Sequence, residues 1–224
     1  MKMRITAALL ALLWLTGAHP ASGVCFHGQN DAGPIGLEVK LTESGDTLRR
    51  QTMFGFSDSA TILLENGICF KPSLLVASGD GGSLLNTGLG VGYLIPIWKG
   101  FYLTPQVAIT YGTLDTHVPF LGETVSEEMR SWTPSLGFDV SYMITPCWGI
   151  SGSYLYGWSS TRTALGPYPK DKSESTGGNY RLQVDYYFKK WLSLNATFAY
   201  NSSMSKEKHG LTAVGGRIGF GVCF

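Results

Sequence analysis

From residue 86 to the end of the chain, oily side chains alternate with small or polar ones in one segment after another. In residues 210–224, Val214, Ile218, Phe220, Val222 and Phe224 share one parity, and Gly215, Arg217, Gly219, Gly221 and Cys223 share the other. An extended segment here has one apolar and one polar face. The same rhythm sets Leu89, Val91, Tyr93 and Ile95 against Gly88, Gly90 and Gly92. It sets Phe101, Leu103, Val107, Ile109 and Tyr111 against Thr104, Gln106 and Thr110. It returns in Trp132–Ile144, Trp148–Trp158, Asn179–Phe188 and Leu192–Tyr200. Each segment predicts a strand of about the length that crosses a membrane, apolar toward lipid and polar toward a lumen.

The spacing between segments is asymmetric. Short turns at 96–100, 145–148 and 189–190 alternate with long polar stretches at 112–130 and 159–176, read as outer loops. Periplasmic turns and outer loops of bacterial barrels show this contrast, which puts the C-terminus on the periplasmic side. Seven strands are counted back to residue 86, and an even number requires more. A strand near 67–77 gives eight, the preferred count. Adding a hairpin over 34–57, where Ile35, Leu37, Val39 and Leu41 alternate with polar neighbours, gives ten. Another version of eight takes 34–42 as the first strand and most of 43–85 as a large outer loop. The fold class is all-β, a closed antiparallel transmembrane barrel, because an open edge in lipid leaves backbone groups unsatisfied.

Residues 1–23 change the picture of where the chain works. Lys2 and Arg4 precede an apolar run from Ile5 to Leu15, and Ala21, Ser22 and Gly23 supply small residues for cleavage. This predicts a secretory signal, too short to be a spanning helix. The barrel domain is then 24–224, with 24–66 of undetermined structure. A net charge of +1 gives no reason to expect nucleic acid, whereas 29 glycines and 12% aromatic residues suit diluted strands edged by aromatic girdles.

On the residues Ser131 and Trp132 through Trp148, with Gly137, Asp139, Tyr142, Ile144 and the downstream Tyr156, the chain resembles the OmpW and OprG-type small barrels. More loosely it resembles OmpX, Ail and opacity-type barrels, and the N-terminal third departs from OmpW. The resemblance implies a bacterial outer-membrane protein, not an enzyme and without cofactor. Its implied role is a passive route for small hydrophobic solutes or, alternatively, adhesion to host surfaces. The last strand resembles the closing strand of such barrels, whose terminal aromatic is read by the barrel-assembly machinery, which assigns that role to Phe220, Val222 and Phe224.

Candidate chemistry is sparse. His117 and His209 stand in polar stretches without the Ser two residues away that outer-membrane lipid A deacylases carry, and no metal or phosphate-binding spacing appears. The residues with something to do are charges on the lumen parity: Lys71, Asp139, Arg181, Asp185 and Arg217, expected to pair in a narrow barrel. In the outer stretches Val118, Phe120, Leu121, Leu165 and Tyr168 are apolar enough to touch a partner, a solute or outer-membrane lipid. In the eight-strand reading Cys69 and Cys223 flank the closing seam and predict a disulfide, with free thiols as the alternative.

Overall fold

The computed structural model describes residues 26–43, 46–120, 123–166, 171–207 and 209–224. The expected signal segment and Cys25 lie outside them. The described chain folds into eleven strands in sequence order. They are β1 (Phe26–Glu43), β2 (Asp46–Leu64), β3 (Ile68–Gly79), β4 (Gly82–Tyr93), β5 (Ile95–Trp98), β6 (Phe101–Phe120), β7 (Glu123–Thr145), β8 (Trp148–Leu165), β9 (Asp171–Lys189), β10 (Leu192–Met204) and β11 (Gly210–Cys223). Every pairing is antiparallel. β4 pairs with β6 across the short β5, and β11 pairs with β1, so the sheet closes on itself.

The closed ring therefore has ten members, the eleven strands less β5, and the preferred count of eight is corrected. The missing pair is the 34–57 hairpin, lengthened at both ends into β1 and β2. Residues 28–32 add to β1 without an oily face, because Gln29 and Asp31 face the lumen while Gly28, Asn30 and Ala32 face outward. That stretch has no oily parity to betray a strand. The closing partner of β11 is thus β1, fastened at its base by reciprocal backbone bonds between Gly28 and Phe224 of 2.8 and 2.9 Å.

Prolines explain the one strand outside the ring. A proline removes a ladder donor, and Pro105 breaks the β4–β6 pairing after Gly92 and Gln106; pairing resumes, in the same register, at Ile95 and Leu103 as β5. Pro34, Pro72 and Pro134 leave matching gaps in β1–β11, β2–β3 and β7–β8. Each proline stays paired on its other side.

The long outer loops are also corrected. Most of 112–130 and 159–176 is strand, as β6 runs to Phe120, β7 starts at Glu123, β8 runs to Leu165 and β9 starts at Asp171. With 20 residues in β6 and 23 in β7, these hairpins are about twice the length needed to cross a bilayer, and they carry the barrel wall outward. The alternation there is weak because no lipid demands an apolar outer face. The β3–β4 turn is tight: Asp80 (φ 44°) and Gly81 (φ 76°) form a two-residue connection of the kind that suits hairpin twist.

On the outside, aromatic residues mark two bands. Trp98, Tyr142, Trp148, Tyr186 and Trp191 lie near the short turns, and Tyr111, Trp132, Trp158 and Tyr180 lie further along the strands. Cross-strand neighbours stack, with ring centroids 4.8 Å apart for Tyr111 and Trp132 and 4.9 Å for Trp148 and Tyr186. Between the bands the wall presents Leu89, Val107, Leu136, Leu182, Leu194 and Ile218.

Candidate functional site, a lumen in two layers

The interior changes character along the axis. In the periplasmic half it is polar. Asp31 accepts from Gln29 Nε2 (2.8 Å), Asn195 Nδ2 (2.9 Å) and Gln183 Nε2 (3.1 Å), and Gln183 Nε2 also donates to Asp185 at 2.9 Å. Arg217, 6% exposed, donates to the Asp31 carbonyl (3.1 Å), Gln183 Oε1 (3.2 Å), Asn195 Oδ1 (3.3 Å) and Thr197 Oγ1 (3.2 Å). Tyr187 donates to Gln29 Oε1 at 3.2 Å. On the opposite wall Lys71 forms an ion pair with Asp139, which also accepts from Gln106 at 2.6 Å.

The five charges named from sequence therefore separate. Lys71 and Asp139 meet directly. Asp185 and Arg217 share Gln183 rather than a salt bridge, and Arg181 makes no hydrogen bond or ion pair among the described residues. Sequence reasoning missed the amides Gln29, Gln183 and Asn195, which join the charged groups, and missed Asp31. Their signal is the parity shared with Asp185 and Arg217, masked for Gln29 and Asp31 by the absence of an oily outer face.

In the outer half the interior is apolar. Leu37, Val39, Leu41, Met53, Ala77 and Leu114 are buried together, with Ile35, Leu75, Leu84, Met129, Leu211 and Ala213 against them. At this height the charges are outside the wall. Lys40 and Arg50 share Glu38 at 3.1 and 3.5 Å, and Arg130 binds Glu128 at 2.5 Å. The barrel is thus polar inside where lipid surrounds it and apolar inside where water does. Both arrangements follow from one rule, that apolar surface leaves water, applied to two solvents.

A polar collar lies over the apolar layer. Arg49 donates to Thr116 Oγ1 at 2.8 Å and to the His117 carbonyl, Gln51 Nε2 donates to Thr116 Oγ1 at 2.7 Å, and His117 Nδ1 lies 2.9 Å from the Gly81 carbonyl. Glu127 is the cross-strand partner of Thr116, beyond the membrane-spanning part of β7. Burial raises its carboxyl pKa above the usual range, and the charge of Arg49 only partly opposes this. A raised carboxylate pKa means that its contribution to stability is fully present below the ordinary carboxylate pKa and is lost as pH rises through the raised one. The collar should therefore open more readily at pH 8 than at pH 5, seen as faster pulse proteolysis of the outer hairpins. Glu127→Gln should flatten that difference, and a variant as pH-dependent as the parent would exclude Glu127 as its source.

The remaining expected site residues fall as follows. Phe220, Val222 and Phe224 are exposed on the outer face at the base of the wall, and the Phe224 ring lies against Gly28, where an added Cβ would stand 2.7 Å from it. Leu165 is half-buried at the end of β8; Leu121 and Tyr168 lie outside the described residues, as do the side chains of Val118 and Phe120. The Cys69–Cys223 link is corrected. Cys69 is on β3 and Cys223 on β11, β2 and β1 stand between them, and both thiols are free.

A closed antiparallel barrel with an aromatic-edged apolar belt outside and polar side chains within the belt is an outer-membrane β-barrel protein, and the bacterial outer membrane is its location. Among solved structures of this class, the outer membrane protease OmpT of Escherichia coli is similar with a TM-score of 0.55 at 11% identity, over 91% of this chain and 99% of its own. The translocator domain of the autotransporter NalP of Neisseria meningitidis follows at 0.50 and 12% identity, over 100% of this chain and 96% of its own. OprG of Pseudomonas aeruginosa has a TM-score of 0.44 at 12% identity, over 90% and 97%. No family model and no curated protein matches the sequence. The likeness is one of fold, and a protease and a translocator domain share it, so activity has to be argued from the lumen.

Proposed function

We propose that the protein is a passive route by which small hydrophobic solutes enter from outside the cell. The observation that supports this most is the apolar layer in the outer half of the lumen, built from Leu37, Val39, Leu41, Met53 and Leu114. A pore for polar solutes gains nothing from such a lining, whereas an apolar molecule leaves water on reaching it. The polar layer beneath, with Arg217, Asp31 and Asp185, opposes further travel along the axis, because an apolar body there would part hydrogen-bonded buried charges. The way out is sideways. Gly36 and Gly216 are cross-strand partners without side chains, and outside them a groove of about 340 Å³ runs between Phe54 and Phe198. Next to this point the β1–β11 ladder is interrupted at Pro34.

Vesicles containing lipopolysaccharide and the refolded protein should take up an apolar fluorophore faster than protein-free vesicles. Gly36→Leu, which fills the groove, should cut that gain severalfold without changing heat-dependent gel mobility. Equal uptake with and without protein would remove the route. A second reading, adhesion, draws on the outward extension of the β6–β7 and β8–β9 hairpins, with Arg162, Lys172 and Glu174 on show. It would replace the first if uptake shows no gain and the protein instead binds host matrix through those hairpins.

A further inference from the structure

The apolar layer ends, toward the outside, on a side chain whose hydrogen-bonding capacity is not met. Gln51 is 1% exposed and is the cross-strand partner of Val39. Its Nε2 donates to Thr116 Oγ1 at 2.7 Å, while Oε1 is buried without a partner. Turning the amide over does not help. The Thr116 hydroxyl, already accepting from Arg49 at 2.8 Å, would then donate to Oε1 and leave the NH₂ group unmatched. Either way one end of the amide is left unmatched where the collar meets the apolar layer, and a solute entering from outside along the proposed route would meet it there. β4 passes beside it as bare backbone, since a Cβ on Gly82 would stand 3.3 Å from Nε2.

The chemistry that answers this is a hydroxyl. It donates to the amide oxygen in one orientation and accepts from the amide nitrogen in the other, and a carbonyl compound manages only the second. An amine arrives charged at neutral pH and must be desolvated among leucines. A hydrocarbon leaves the amide as it found it. We propose that Gln51 is a selectivity residue, and that the route favours small apolar alcohols, one hydroxyl on a compact hydrocarbon body, over hydrocarbons of equal size. This rests on the reading of the chain as a route for hydrophobic solutes.

The test compares radiolabelled cyclohexanol and methylcyclohexane, similar in size and differing in hydroxyl against methyl. Entry into lipopolysaccharide-containing vesicles bearing the full barrel is divided by entry into protein-free vesicles. The expected result is a protein-dependent gain roughly five to ten times greater for the alcohol, the factor one hydrogen bond supplies. Gln51→Met, close in volume and with only a weakly accepting sulfur, should erase that preference, so that the two probes show equal gains when measured side by side in the variant. Equal gains in the parent protein, read without any variant, overturn the role of Gln51 and leave the route standing. A preference that survives in folded Gln51→Met, judged by gel mobility, does the same. No gain for either probe overturns the route and this proposal together.

Discussion

Replacing Arg217 by Met is expected to cost the barrel about 3–5 kcal/mol, the range for removing one member of a buried charged network. The guanidinium gives up four hydrogen bonds, and Asp31 and Asp185 are left in the lumen without their nearest cation. Lys in its place keeps the charge and loses the fork that reaches Gln183, Asn195 and Thr197 together, so Arg217→Lys should fall between. Adding Asp31→Asn to Arg217→Met should recover part of the loss, because the carboxylate is no longer uncompensated. Guanidinium titrations followed by tryptophan emission measure all four proteins. If the single Met variant unfolds with the parent, the polar layer is not what secures the periplasmic half.

The second large effect is confined to the other half. Met53 is fully buried in the apolar layer, and Met53→Ala should cost about 2–5 kcal/mol through lost contacts and a residual cavity. The belt does not depend on this layer, so the variant should keep its heat-dependent mobility and its insertion. Hydrogen exchange should quicken at outer amides of β1, β2 and β6 and stay unchanged near the short turns. Exchange rising evenly along those strands would mean that the two layers unfold as one body.

These two residues show why part of the site was legible and part was not. Arg217 was found from sequence because the oily parity of its neighbours Ile218, Phe220 and Val222 defines lipid, and whatever lies opposite must face inward. Met53 gave no such sign. In the outer half the oily parity turns inward, as Leu37, Val39 and Leu41 do, and a reading that equates oily with lipid-facing loses its bearings there. The same reversal left β1 and β2 in the ten-strand alternative instead of the preferred count of eight, turned the ends of β6 to β9 into apparent loops, and made Cys69 look like a neighbour of Cys223. Closure, antiparallel order and the periplasmic turns survived because they depend on the belt alone. The Asp31 and Gln183 cluster and the Gln51 collar depend on which strands meet across the lumen, which no single-strand pattern carries.

The four proline gaps have a mechanical consequence. The interrupted seams are β11–β1, β2–β3, β4–β6 and β7–β8, while the hairpins β1–β2, β3–β4 and β6–β7 pair across their prolines without a gap, and β8 to β11 run on without one. The wall is therefore jointed: three stiff two-stranded panels and one stiff four-stranded panel meet along four lines where the backbone holds less tightly. A tube built this way changes its cross-section by folding along its joints, from round toward oval, with no panel having to bend.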